Sequence, residues 1–177
     1  DISVLVGCEY SGRVRDAFIK EGFNAVSCDI LDSVAPGPHI VDDLLNVISS
    51  DFDVLIAFPP CTYISNAGTR YRNNTERLRL ACDAMKFFSY LYDAPIKHIC
   101  LENPIGMLST CFAQPSQIIH PYYFGGYAKK RTGLWLKNLP ALSHSSVDTL
   151  FSKKTHGVLL PYYAPQVSCK QSAWLNN

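Results

Sequence analysis

The sequence predicts an α/β protein built on a doubly wound, mostly parallel sheet. Three observations predict it. Short apolar runs alternate with segments of helical period. The runs stop at glycine, aspartate or a proline pair, as buried strands do. At 177 residues, 47% apolar and 18% charged, the chain has the size of one globular domain and enough apolar residues for a real core.

The elements follow in order. Residues 2–6 form an apolar run, broken only by Ser3, that suits a buried parallel strand. Residues 7–12 are the turn after it. Residues 13–21 read as a helix with Val14, Ala17 and Phe18 on one face and Gly22 as its C-cap. A second strand over 25–28 ends at Asp29. Residues 33–38 are a loop rich in breakers. His39–Val41 is a third strand and residues 44–48 a short helix. Val54–Ala57 is the fourth strand. A polar loop over 62–74 leads into Thr75–Tyr92, where Leu78, Ala81, Met85, Phe88 and Tyr92 make one helical stripe toward a core. Pro95 blocks continuation, and residues 96–101 form strand five. After Pro140 the pattern dissolves into Ser, Lys, Pro and Tyr. The expected organisation is one catalytic domain over 1–142 and an irregular extension over 143–177.

Charge and cysteine content narrow the function classes. Net charge is +1, so no global basic field favours nucleic acid and any polyanion site must be local. No uninterrupted apolar run approaches the roughly 18 residues of a membrane span. Seven scattered cysteines, with no zinc-like spacing to each other or to histidine, suit a reducing cytoplasm and suggest no metal. The chain starts at Asp1 without Met, which leaves room for a leader or a few residues before it.

Two chemically distinctive segments stand at strand ends. Residues 58–68 read Phe-Pro-Pro-Cys-Thr-Tyr-Ile-Ser-Asn-Ala-Gly, directly after the fourth strand. Ligand and catalytic groups of open α/β sheets gather at that edge, so Cys61 is a candidate nucleophile. Leu101-Glu102-Asn103-Pro104 follows at the end of the fifth strand. Neighbouring parallel strands would bring a thiol and a carboxyl group into one pocket. Asn103 also suits a turn, since Asn-Pro is a common turn pair.

These segments resemble motifs of the cytosine-5 DNA methyltransferase family. Pro60, Cys61, Ser65 and Gly68 match Pro-Cys-Gln-x-Phe-Ser-x-x-Gly in register, with Thr62 for Gln and Ile64 for Phe. Glu102-Asn103-Pro104 is similar to Glu-Asn-Val. Lys129-Lys130-Arg131 lies where the family keeps its basic motif. The resemblance spans about residues 2–142 and is to short, phage-type members. It implies a three-layer, Rossmann-like fold of the S-adenosylmethionine-dependent methyltransferase type, at work in the cytoplasm of a bacterial or phage-infected cell.

The resemblance also implies roles. Cys61, Glu102 and Arg131 would be catalytic. Gly7, Glu9, Gly12, Asp29, Asp43 and Pro59 would hold S-adenosylmethionine, with the N-terminus of the first helix receiving a ligand carboxylate and Asp29 the ribose. Asp42 rivals Asp43, and a plain helix N-cap is the alternative for either. Ser65, Asn103, Arg70, Arg72, Lys129 and Lys130 would face the substrate. Arg77 and Arg79 either reach phosphates or solvate the long helix. His120 and the aromatic residues after it suit a core or a rim better than a stacking platform.

The implied activity is methylation of C5 of cytosine in DNA. RNA or a free nucleotide as substrate, and a degenerate cofactor- or nucleic-acid-binding protein, are the alternatives. The family's large target-recognition domain has no counterpart in the about 35 residues after Leu142. The expected target is therefore short, single-stranded or read with little sequence selectivity. Otherwise a homodimer or accessory protein completes the site, or a stretch is absent from the 68–76 loop or the tail.

Overall fold

A computed structural model describes residues 1–65, 74–124 and 130–143. Among them the chain forms an α/β sandwich around a seven-stranded sheet. Along the chain run β1 (Ser3–Gly7), α1 (Arg13–Lys20), β2 (Asn24–Asp29), β3 (His39–Val41), α2 (Leu44–Val47) and β4 (Val54–Ala57). Then come α3 (Thr75–Tyr92), β5 (His98–Pro104), α4 (Met107–Cys111), β6 (Gln117–Ile119) and β7 (Thr132–Lys137). The strand order is β3-β2-β1-β4-β5-β7-β6. The first five strands are parallel, and β7 runs antiparallel to both β5 and β6. This sheet is compatible with a Rossmann-like fold. Its order reverses between β1 and β4, and a crevice opens at such a switch point beyond the carboxyl ends of the strands.

The central strand explains why the sheet needs cover on both faces. Val4, Leu5 and Val6 are all fully buried. Val4 and Val6 pack with Ala25, Val14 and Phe18, the last two from α1. Leu5 belongs to the other face, with Leu55, Ile99, Leu101 and the α3 residues Ala81, Ala84, Phe87, Phe88 and Leu91. Fully burying an aliphatic or aromatic side chain is worth roughly 1.5–3 kcal/mol, so these two layers hold the fold.

The buried face of α3 differs from the expected stripe. Ala81 and Phe88 are buried as expected, and Met85 and Tyr92 pack partly against the core. Leu78 is 43% exposed. The buried stripe instead includes Ala84, Phe87 and Leu91, because small Ala81 and Ala84 let the helix lie close to the sheet. Arg79 pairs with Glu76 at 2.7 Å and Asp83 at 3.1 Å on the outer face, which is its solvent-side reading.

Strand five also differs. It begins at His98 rather than at residue 96 and runs to Pro104. The cause is β7, which pairs Glu102 with Leu134, Asn103 with Gly133 and Pro104 with Thr132. Parallel pairing with β4 ends at Leu101. Glu102 therefore sits within a strand that overreaches its parallel neighbour. Trp135 anchors β7, 2% exposed, with its indole N–H donating to the Ala113 carbonyl at 2.9 Å and its ring edge-on to Phe88. Lys137 donates to the carbonyls of Tyr92 and Ala94, placing a cation at the C-terminal end of α3.

Arg15 is an inward-facing charge that the helical pattern of α1 concealed. It is fully buried. Its guanidinium binds Asp16 at 2.8 Å, the Ser27 hydroxyl at 3.2 Å and the Pro36 carbonyl at 2.9 Å. It thereby fastens the breaker-rich loop to α1 and β2. Gly12 serves this packing: its φ is +75°, and a Cβ there would meet the Arg15 guanidinium.

No helix among the described residues is long and apolar enough to cross a membrane.

Candidate active site

The turn that carries Cys61 is set by the end of β4. The Phe58 amide donates to the Gly7 carbonyl at 3.1 Å, which keeps the chain beside β1 past the last strand residue. Two prolines then remove two backbone donors and end the ladder. The Cys61 carbonyl accepts from Ile64 at 3.2 Å and Ser65 at 2.9 Å, closing residues 61–65 into a compact turn. Ile64 plugs this turn into the core at 1% exposure. Arg77, on the first turns of α3, donates to the Thr62 carbonyl at 3.2 Å and lies 5.3 Å over the Tyr63 ring. It therefore braces the Cys61 turn, a contact that the sequence pattern did not reveal.

The end of β5 is tied to that turn in three places. Asn103, 1% exposed, donates its side-chain N–H to the Pro59 carbonyl at 2.8 Å. The Met107 amide donates to the Ile64 carbonyl at 2.8 Å. Ser65 and Gly106 form an antiparallel bridge. Cys61 and Glu102 are thus presented by two segments held together by hydrogen bonds. The Asn103 Oδ1 is buried with no partner among the described residues.

The electrostatics of the two groups are linked. Burial pushes the half-buried Cys61 thiol up, Lys130 pulls it down, and the Glu102 carboxylate pushes it up again. Burial likewise raises Glu102, with Lys130 opposing. A carboxyl held above its ordinary range can keep a proton and donate it. Lys130 lies two residues before β7, and β7 opens at Thr132 opposite Pro104, which brings this segment of backbone to the carboxyl end of β5. Lys130 and Arg131 are both exposed, and among the described residues Lys130 is the cation whose charge bears on both Cys61 and Glu102.

Beside this turn is a small, open cleft of about 20 Å³ lined by Cys8, Cys28, Asp29, Asp42, Asp43, Pro60 and Phe87, among others. It lies at the carboxyl ends of β1, β2 and β4, at the switch point of the sheet. Asp29 is 8% exposed and accepts from the Leu31 amide at 3.1 Å. Burial raises its carboxyl. Asp43 both lines the cleft and caps α2, accepting from the Leu45 amide at 2.9 Å. The N-cap reading of Asp43 is thus met, and Asp42 shares the lining.

The remaining predicted site residues divide clearly. Gly7 borders the cleft through Leu44, against which a Cβ would collide. Pro59 is buried with its carbonyl given to Asn103, and Pro60 is the proline that faces the cleft. Ser65 serves the bridge to Gly106. Glu9 and Gly12 lie on the loop before α1 outside the cleft lining. Glu9 accepts from the Arg13 amide at 3.0 Å, so one donor at the N-terminus of α1 is engaged by a carboxylate of the chain itself. Gly68, Arg70, Arg72 and Lys129 lie outside the described residues.

No protein-family model matches the chain, and no curated protein matches it.

Proposed function

We propose that this protein methylates C5 of cytosine in DNA through a covalent adduct with Cys61. The observation that carries the reading is the hydrogen-bonded clamp that presents Cys61 and Glu102 together beside the carboxylate-lined cleft. Cytosine chemistry needs this pair of groups. A thiolate adds to C6 of the ring, and its electron pair makes C5 carbanion-like. A protonated carboxyl at N3 and the exocyclic amine stabilises that charge, and the raised Glu102 suits this task. After C5 is alkylated, its proton is lost to a base. The returning electron pair expels the sulfur of Cys61. Lys130 favours the thiolate against the cost of burial.

The acids at this edge of the sheet support S-adenosylmethionine as the cofactor, for which the small cleft would have to widen. Asp29 ends β2, the place from which an acid grips ribose hydroxyls in sheets of this kind. Gly7 leaves room for Leu44 at the cleft wall. Bound S-adenosylmethionine would supply the electrophilic methyl group. Pro60 links the cleft to Cys61 by one peptide bond, so the donor and the acceptor base would meet at this edge. The target cytosine would have to leave its stack to reach the thiol.

Mass spectrometry of nucleosides from cells expressing the chain tests the reading. The expected result is 5-methylcytosine in DNA with the wild-type chain and none above background with Cys61→Ala. Its appearance only in RNA would change the substrate, and its absence from all pools would contradict methyl transfer.

A further inference from the structure

From Asn103 to Val147 the chain has no aspartate or glutamate, while it has Lys129, Lys130, Arg131 and Lys137. β6 and β7 belong wholly to this stretch, so that flank of the sheet carries no carboxylate side chain. The small net charge of the whole chain conceals this local excess of cations. Thr132, the first residue of β7, pairs with Ile119 of β6 on one side and with Pro104 of β5 on the other. β5 and β6 both run antiparallel to β7, so they point the same way and end level. Two strand spacings, about 10 Å, separate Ile119 from Pro104. The chain that follows Ile119 therefore leaves the sheet at the edge where β5 presents Glu102 and the turn after β4 presents Cys61.

That chain is aromatic. His120 leads into a single 3-10 turn over Pro121–Phe124, and the Tyr123 amide donates to the His120 carbonyl at 3.0 Å. The imidazole lies 5.3 Å from the Tyr122 ring and 5.2 Å from the Tyr123 ring, and the two tyrosine rings are 4.6 Å apart. The His120 Nδ1 is buried, so packing holds the imidazole in place. None of the four residues of the turn is buried, and Phe124 is 49% exposed. The cluster is thus a rim and not a core. Rings already held against one another lose little freedom when a flat ligand stacks on them, and every nucleobase has a π face to offer. Lys130 and Arg131, exposed at the entry to the neighbouring strand, suit the phosphates of the same strand of nucleic acid. In a duplex the base faces are already stacked on one another, whereas a single strand leaves them open.

We propose that the rim of His120, Tyr122, Tyr123 and Phe124, with Arg131 beside it, is a docking surface for single-stranded DNA, on which unpaired bases next to the target cytosine stack. The proposal rests on the reading of DNA as the substrate. It names the form of DNA that binds and the residues that select it.

Fluorescence anisotropy tests it with three labelled probes: a single-stranded oligodeoxynucleotide of mixed sequence, its duplex, and an abasic strand with the same number of phosphates. Wild type should bind the single strand more tightly than the duplex, and about tenfold or more tightly than the abasic strand. In Tyr122→Ala and Tyr123→Ala the advantage over the abasic strand should shrink by several fold, while binding of the abasic strand stays nearly unchanged. Tyr122→Phe and Tyr123→Phe, which keep the rings, should keep the advantage. Arg131→Ala should weaken both strands alike and reduce the salt dependence. Melting curves establish that each variant is folded, and if Tyr123→Ala does not fold, Tyr122→Ala carries the comparison. A merely structural role of the tyrosines would lower both affinities together and leave their ratio in place. Equal wild-type affinity for the base-bearing and abasic strands, a duplex bound at least as tightly as the single strand, or a ratio unchanged in the alanine variants would overturn the proposal. Sedimentation that changes in those variants while DNA binding does not would give the rim to a second copy of the chain and overturn it too. Methyl transfer is read separately by the nucleoside assay, so 5-methylcytosine formed in cells alongside any of these results would leave the proposed activity standing without the rim.

Discussion

The side-chain amide of Asn103 donates to the Pro59 carbonyl at 2.8 Å in the protein interior. The donor belongs to β5, one residue after Glu102, and the acceptor lies two residues before Cys61. One buried hydrogen bond is therefore among the contacts that tie the segments carrying Cys61 and Glu102 together.

Replacing Asn103 with alanine leaves the Pro59 carbonyl buried and unpaired. Such a loss costs about 1–3 kcal/mol, which urea unfolding will register. Trapping of a cytosine substrate should slow by tenfold or more in protein that is still folded, because the Cys61 turn loses its alignment with Glu102. Asn103→Asp, which keeps the size but offers no N–H, should behave like the alanine variant. A normal trapping rate in either would show that the clamp does not position the site.

The raised Glu102 carboxyl predicts a pH-dependent stability difference. The folded protein holds this proton more tightly than the unfolded chain, whose carboxyl titrates near 4.5. No penalty falls on the fold while both forms are protonated. As pH rises from the ordinary carboxyl value through the higher folded value, ionising the buried group costs stability. Glu102→Gln cannot ionise and escapes that cost. The Tm of Glu102→Gln minus that of wild type should therefore increase between about pH 4 and pH 8. A flat or falling difference would contradict a raised carboxyl. The variant should also lose adduct formation.

Lys130 acts on Cys61 and Glu102 together, and Arg131 is the neighbouring alternative. Lys130→Ala should move the pH dependence of Cys61 alkylation to more alkaline values, because the thiolate loses its cation. Arg131→Ala should leave it nearly in place. Cys82 and Cys111 are exposed and will also react, so the rate must be read on the Cys61 peptide by mass spectrometry. An alkaline shift with Arg131→Ala alone would return the catalytic role to Arg131.

Most of the parallel half of the sheet was legible because its strands are short apolar runs ended by breakers. Val54–Ala57 and His39–Val41 have the expected bounds. The antiparallel pairing of β6 and β7 was not legible, since β6 is only three residues long and its partner begins only at Thr132. That omission also hid the true end of β5, which β7 determines. At the site, residue order alone brought Cys61 and Glu102 to one edge, as parallel strands require. The supporting contacts were hidden because each depends on tertiary geometry. Arg77 resembles any exposed helical arginine until its contact with Thr62 is seen. Arg15 resembles another, yet it is wholly buried.

Covalent trapping tests the central claim most directly. A cytosine substrate carrying fluorine at C5 cannot complete the final elimination, so the nucleophile remains attached. With S-adenosylmethionine present, wild type should give an adduct that survives denaturation, mapped to the peptide containing Cys61. Cys61→Ala, folded by its melting curve, should give none. An adduct that persists in Cys61→Ala, or no adduct with wild-type protein, would contradict Cys61 as the nucleophile.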